Sequence, residues 1–381
     1  MVARRLHPRR FPRILRLLGT ESVWTEIKQL WSRRLLPIGI AKRTREHPST
    51  PALFEMETAC WLSQAIYVAA KLGIADLLRD GPRSCVALAT ASNSDAPSLF
   101  RLMRALSSVG IFAHLGRDRF ALSRLAESLQ TDVRGSLRAI VITIGEIHYQ
   151  ACGSLLHSVQ TGSPAFNTLF GTSLFNYLQQ NVDAADAFNQ GMANVPSMLA
   201  YAVLMAYDFA GISSIVDIGG GQGNLLEKIL QFTPAITGTV FDTASTIEKA
   251  MQVLGNDAWS KRCSYVIGDF FTSVPQGADA YLLCGVIHDW DDRRAIRILK
   301  NCRRAMPEKG RVLLVDMVVP DLDATSSSKL PDLNILALTG GRERTKAEFH
   351  VLLDAADYKL ERIIPTMAPQ SIIEAVPKYV V

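Results

Sequence analysis

Ile215-Val-Asp-Ile-Gly-Gly-Gly-Gln-Gly-Asn224, followed by Leu225-Leu-Glu-Lys-Ile-Leu230, reads as a buried strand, a turn dense in glycine and then a helix. Glycine lacks the Cβ that keeps a backbone away from a ligand, and it adopts positive φ at little steric cost. In a parallel α/β sheet, ligands gather at such strand ends, beside the following helix N-terminus. The turn is the expected seat of a cofactor.

Spacing narrows the cofactor. Gly219, Gly221 and Gly223 alternate, and Asn224 stands where a dinucleotide fingerprint needs its third glycine. No G-K-[ST] follows the turn, which excludes a P-loop. Asp242 closes the next apolar run, Thr239-Val-Phe-Asp242, at the distance where an acid takes ribose hydroxyls. The glycines alone could form a plain tight turn. With a ribose acid and no phosphate cradle, the pattern fits S-adenosylmethionine (SAM).

The 381 residues suggest more than one domain, and a hydrophobic fraction of 48% supports a large core. The six cysteines are scattered without a C-x-x-C pair, arguing against a zinc site or disulfide framework and for a reducing compartment. No apolar run is long enough to span a bilayer and no secretory signal is evident, so the expected location is cytoplasmic. The net charge of +5 hides an asymmetry. Residues 1–45 carry twelve Lys/Arg against Glu21 and Glu26, a net +10, and the remainder sums to −5. This basic, amphipathic arm is suited to weak contact with an anionic membrane surface; a solvated extension or a transit peptide are its other readings.

Four segments are expected: a basic extension over 1–50, a winged-helix dimerisation domain over 51–135, a helical linker and substrate-pocket segment over 136–210, and a catalytic domain over 211–381. Residues 55–80 read as one apolar helix with so little polar face that a partner subunit is its natural cover. Two short helices and a hairpin over 84–122 have the shape of a winged helix. Its second helix carries only Arg101 and Arg104, too thin a phosphate footprint for nucleic acid, so a dimer-forming wing is the better reading. In the aromatic stretch 136–210, Phe175, Tyr177 and Met192 are candidates to floor a substrate pocket, with core packing as the ordinary alternative. Strands are expected at Ser214–Ile218, Thr237–Asp242, Cys263–Asp269, Asp279–Ile287 and Arg311–Val319. A closing antiparallel pair follows at Leu360–Thr366 and Ser371–Val376.

The carboxyl ends of these strands carry Gly219–Gly221, Asp242, Gly268-Asp269-Phe270-Phe271, His288-Asp289-Trp290 and Asp316. Asp269 could accept from an adenine amino group, with Phe270 against the ring. His288 is a natural general base near neutral pH, while the following aspartates suit a helix N-terminus. The motifs V-D-I-G-G-G-Q-G, G-D-F-F, V-I-H-D-W-D-D and T-G-G-R-E-R-T together resemble the class I SAM-dependent small-molecule O-methyltransferases, from about residue 55 to the end. Among these the chain looks like the caffeate and hydroxyindole enzymes and the bacterial carotenoid and antibiotic-tailoring relatives.

The resemblance implies a Rossmann-like seven-stranded α/β sheet behind a helical winged-helix domain, a homodimer, and SAM converted to S-adenosylhomocysteine without a metal. It further implies cofactor contacts from Gly219, Gly221, Asp242, Gly268, Asp269 and Phe270, with His288 as base and Asp316 and Glu343 as its acidic partners. Three departures stand out: Asp242-Thr243-Ala244 replaces the family's Asp-Leu-Pro, Cys284 and Gly285 stand where a Lys or Arg is common, and Asp316 replaces a Glu. The expected reaction moves a methyl group to a hydroxyl of a small aromatic or polyene metabolite. A SAM-binding relative with non-methylating chemistry and a winged-helix DNA regulator are the rivals; product mass and duplex binding discriminate them.

Overall fold

The structure is a computed structural model that describes residues 50–133, 135–253, 259–320 and 329–378, with the side chains of 51–52, 192–198 and 253 outside that description. The basic arm therefore lies outside the described residues. The chain divides into two units, one built from 50–153 and Phe175–Val195, the other from Ser154–Leu174 and 196–378.

In the first unit, a helix over Thr50–Lys71 gives way at Gly73, whose φ of +66° starts the short helix Ile74–Leu77. The single helix expected through Leu78 is thus broken, because a left-handed glycine ends the hydrogen-bond ladder. Helices Cys85–Ala91 and Ala96–Ser108 follow, capped by Ser84 accepting from Ala87 N (3.2 Å) and Asp95 accepting from Ser98 N (2.9 Å). Leu99, Met103 and Leu106 recur at helical spacing and are buried. Strands β1 (Arg83–Ser84), β2 (Phe112–His114) and β3 (Arg119–Leu122) pair antiparallel in the order β1-β3-β2, completing the winged helix. One face of the long helix stays uncovered. Phe54, Trp61 and Val68, seven residues apart, are exposed, Trp61 by 68%.

The second unit is a mixed sheet of β4 (Ser214–Ile218), β5 (Thr237–Asp242), β6 (Cys263–Ile267), β7 (Ala280–Cys284), β8 (Arg311–Val319), β9 (Arg344–Thr345), β10 (Tyr358–Pro365) and β11 (Gln370–Pro377). The order is β10-β11-β8-β7-β4-β5-β6, with β9 beside β8. Strands β4 to β8 pair parallel, and β11 runs antiparallel to both β8 and β10. Side chains alternate between two cores. Val216, Ile218, Tyr281, Leu283 and Leu314 pack with Ile298, Leu299, Phe349 and Leu353. Ile215, Leu282, Leu313 and Val315 pack with Leu225, Leu226, Ile229 and Val203. Because β4 has β5 on one side and β7 on the other, the strand order reverses there, opening the crevice in which such sheets bind ligands.

The strand expected to run to Ile287 stops at Cys284, since Gly285 takes φ +63° and turns the chain into a one-turn helix over Ile287–Asp289. At the opposite end of β8, the buried Glu374 carboxylate accepts from Tyr207 Oη (2.8 Å), Arg311 Nη1 (2.9 Å) and Arg362 Nε (2.5 Å), tying β11 to its neighbours. Glu374→Ala strands these donors, and should cost about 2–3 kcal/mol, less than a fully buried pair because both arginines reach solvent. Urea unfolding of the full chain followed by tryptophan fluorescence checks this; an unchanged midpoint would show that the cluster is dispensable.

Candidate active site

The glycine turn after β4 has a packed side and an open side. A Cβ on Gly219 would lie 2.9 Å from Val286 Cγ2 and 3.7 Å from the Phe270 ring, and one on Gly223 would lie 2.9 Å from Val240 Cγ2. A Cβ on Gly221, at φ +60°, would meet nothing within 4 Å. The turn is thus pressed onto the sheet at both ends and leaves its middle bare. Its register is set by Gly219 N donating to Phe241 O (2.8 Å) and Gly221 N donating to Asp242 Oδ2 (2.9 Å). The Asp242 carboxylate also accepts from Thr243 N (2.7 Å), so it stands fixed at the end of β5.

Beneath the turn lies Asp217, which the sequence reading passed over. It is buried, its Oδ1 has no hydrogen-bond partner among the described residues, and burial with Asp242 nearby pushes its pKa up to about 8. An orphaned carboxylate oxygen beside a bare glycine is what a ligand carrying N–H and O–H donors would satisfy. Gly221, Asp217 and Asp242 therefore fit an adenosyl amino acid. Gly268 is a packing glycine: its Cβ would lie 2.4 Å from the Phe241 ring. Asp269 is exposed and accepts from Phe271 N (2.8 Å) and Thr272 Oγ1 (3.2 Å), shaping its own turn. Phe270, Phe271 and Trp290 form an edge-to-face cluster with centroids 4.8–6.0 Å apart, and Asn301 Nδ2 donates to Phe270 O (2.7 Å).

Next to the glycine turn, the Ile287–Asp289 turn carries His288. Its Nδ1 is 2.8 Å from Glu343 Oε1, and its Nε2 lies 3.9 Å from Asp289 Oδ1 and 3.7 Å from where a Gly285 Cβ would stand. The imidazole is partly exposed while Glu343 is buried, so the carboxylate works from behind and the ring faces outward. Burial alone would push His288 down. The carboxylates of Asp289, Glu343 and Asp316 outweigh it and raise its pKa to about 10. Asp316 is buried near His288 without a hydrogen bond to it, and burial pushes its pKa up to about 7. Of the two expected acidic partners, Glu343 makes the contact, while Asp316 makes no hydrogen bond among the described residues and favours the charged imidazole through its charge.

The following aspartates divide their work. Asp291 caps helix Asp292–Ala305 by accepting from Arg294 N (2.8 Å), as expected. Asp292, expected at the same task, instead holds the buried Arg344 guanidinium (2.8 and 3.0 Å). Asp332 and Arg344 were not legible as site residues, since their partners are distant in sequence, whereas Asp289 stood among the strand-end residues beside His288. The signal that could have exposed Arg344 was the charged Arg342-Glu-Arg344 run after paired glycines. Phe175 and Tyr177 are half-buried on helix Leu174–Gln180 and belong to the first unit, while the Met192 side chain lies outside the described residues.

Comparison with known proteins bears on this geometry. A family model for the O-methyltransferase domain matches residues 153–359, and one for the O-methyltransferase dimerisation domain matches 54–132. The chain is 42% identical to a phenazine O-methyltransferase of Lysobacter antibioticus, over 87% of this chain and 97% of that one. It is 36% identical to the mitomycin biosynthesis 6-O-methyltransferase of Streptomyces lavendulae, over 87% and 98%. A solved O-methyltransferase from neocarzinostatin biosynthesis, in complex with SAM and 2-hydroxy-5-methyl naphthoic acid, superposes with a TM-score of 0.74 at 31% identity, over 83% and 96%. Among the described residues, no single helix is long and apolar enough to cross a membrane. A bare glycine turn with Asp242 fixed at the next strand end, a carboxylate-backed histidine, and matches spanning both units together place this chain in the family of SAM-dependent O-methyltransferases.

Proposed function

We propose that the chain methylates a hydroxyl on a small, planar aromatic metabolite, with His288 as general base. The observation that carries this is the Nδ1–Glu343 hydrogen bond at 2.8 Å, which occupies one ring nitrogen and leaves Nε2 as the one to take a proton. The named relatives support the acceptor class, since phenazine and naphthoate skeletons are flat and carry acidic hydroxyls. When bound, SAM supplies a methyl group made electrophilic by the attached sulfonium. Gly219, Gly221, Asp217 and Asp242 would hold it, with Asp269 and Phe270 toward the adenine. His288 takes the hydroxyl proton at Nε2, and Glu343 keeps the ring oriented while balancing the imidazolium charge. Asp316 adds a longer-range contribution of the same sign.

Magnitudes favour this assignment. A phenol of pKa about 10 facing a free imidazole of about 6.5 leaves roughly 3.5 units, near 5 kcal/mol, for full proton transfer. The acidic surroundings raise His288 to about 10, which matches the phenol for transfer within the complex, while below that pH the ring must first release its own proton. The consequence is that the ligand-free base is protonated at neutral pH, and activity must climb as pH rises.

Dimerisation through the first unit follows from the matched dimerisation domain and the heptad-spaced Phe54, Trp61 and Val68. A residue seven further along a helix returns to the same face, so the three form one apolar strip.

His288→Ala should lower turnover by about 10²–10⁴-fold while SAM affinity stays within a few fold. Labelled methyl transfer from SAM to a panel of hydroxylated phenazines and naphthoates measures the first, and calorimetry the second. Turnover that survives the substitution would remove His288 from the chemistry. In the wild type, kcat/KM should rise with pH toward a limb near the raised histidine value. Glu343→Gln removes charge that favours the imidazolium, so the limb should move to lower pH as the plateau rate drops; a limb that stays in place would contradict the pairing. Sedimentation should give a dimer for the wild type and a shift toward monomer for Trp61→Glu, whereas a monomeric wild type would refute the interface.

A further inference from the structure

Arg344 is 1% exposed, and a guanidinium cannot shed its charge on burial, so every donor must find an acceptor. Its contacts are Nε to Asp292 Oδ1 (3.0 Å), Nη2 to Asp292 Oδ1 (2.8 Å) and Trp290 O (2.8 Å), and Nη1 to Ile287 O (3.1 Å) and Arg342 O (3.4 Å). Two of those carbonyls bracket His288, one residue before it and two after. The planar fork therefore spans the turn that carries the imidazole. A lysine ammonium, a single point on a flexible stem, cannot reach both sides at once.

The backbone of the same loop closes on the same turn. Arg342 N donates to His288 O (2.8 Å), and a Cβ on Gly341 would lie 2.0 Å from that oxygen, so only glycine permits the approach. Glu343 N donates to Asp332 Oδ1 (2.7 Å), and Arg344 pairs with Val318 of β8. The acid that meets the imidazole and the cation that grips its turn are thus adjacent residues. Two of the five Arg344 contacts serve the carbonyls that bracket His288 and one serves Arg342 O, while the carboxylate that takes the other two, Asp292, is 55% exposed.

We propose that Arg344 is a positioning residue for methyl transfer: it clamps the Ile287–Asp289 turn against the Glu343 loop, so that the His288–Glu343 hydrogen bond is held in one geometry. This rests on the reading of His288 as base. The guanidinium touches neither reacting group and acts through the two residues that do.

The test uses full-length Arg344→Lys and Asp292→Ala. Nitrogen-15 NMR follows the imidazole signal that disappears in His288→Ala, and S-adenosylhomocysteine binding is measured by calorimetry. In Arg344→Lys the His288 titration should move to lower pH, and turnover of the same acceptor panel should fall about tenfold or more at nearly unchanged KM for SAM. S-adenosylhomocysteine affinity should change less than about threefold, because its candidate holders lie on the glycine turn and β5. Asp292→Ala should shift the titration the same way by less, and it decides the matter should Arg344→Lys not fold. A folded Arg344→Lys with an unmoved His288 titration, or with wild-type turnover, would overturn the proposal. If His288→Ala itself keeps turnover, the base reading fails, yet the displaced titration in Arg344→Lys would still bear out the clamp.

Discussion

A hydrogen bond between a partly exposed imidazole and a buried carboxylate organises this site. Glu343 can be buried because His288 faces it, and His288 can be a strong base because Glu343, Asp289 and Asp316 stabilise its charged form. Glu343 reaches His288 from a distant loop, whereas Asp289 acts on the ring from the same turn. An imidazole in water would leave a phenol proton about 5 kcal/mol short of transfer, so the surrounding carboxylates change the chemistry available to the fold. The cost is a set of buried carboxylates: loss of hydration pushes Asp289 up to about 6 and Asp316 up to about 7, and the Glu343 charge adds to both.

That cost is met by rigid scaffolding. The parallel strands β4, β7 and β8 are apolar on both faces, which fixes where their carboxyl ends fall. Gly285 turns the chain at the end of β7, and the 341–344 loop closes over the resulting turn through backbone bonds and the Arg344 fork. Across the switch point, the Gly219–Gly223 turn is pinned by Val286 and Val240, with only Gly221 bare. Val286 packs under one glycine and sits two residues before His288. The cofactor turn and the histidine turn therefore share a wall.

The sequence was most readable where local pattern and burial agree. Strands β4, β5 and β8 have the bounds that their apolar runs predict, and the closing antiparallel hairpin matches the short final connection, whereas the order of strands across the sheet comes from the structure. It was least readable where one residue's backbone overrode a run: Gly73 splits an otherwise continuous helix, and Gly285 ends a strand that hydrophobicity would extend to Ile287. Strand β9 is two residues long and exists only because β8 is beside it. The same holds for Arg344 and Asp332, whose partners lie elsewhere in the chain. Asp217 was hidden by its strand, where a single acid among apolar neighbours resembles an interruption. Asp316 was legible from the family resemblance as an acid near the histidine, and it is buried there without a hydrogen bond to the ring.

The most direct measurement is a crystal structure of the full chain with S-adenosylhomocysteine. The account predicts the nucleoside along Gly219–Gly221, its ribose on Asp242, and its sulfur turned toward His288 Nε2 across a gap that one acceptor oxygen fills. A sulfur pointing away from that imidazole, or a nucleoside bound elsewhere on the chain, would contradict it.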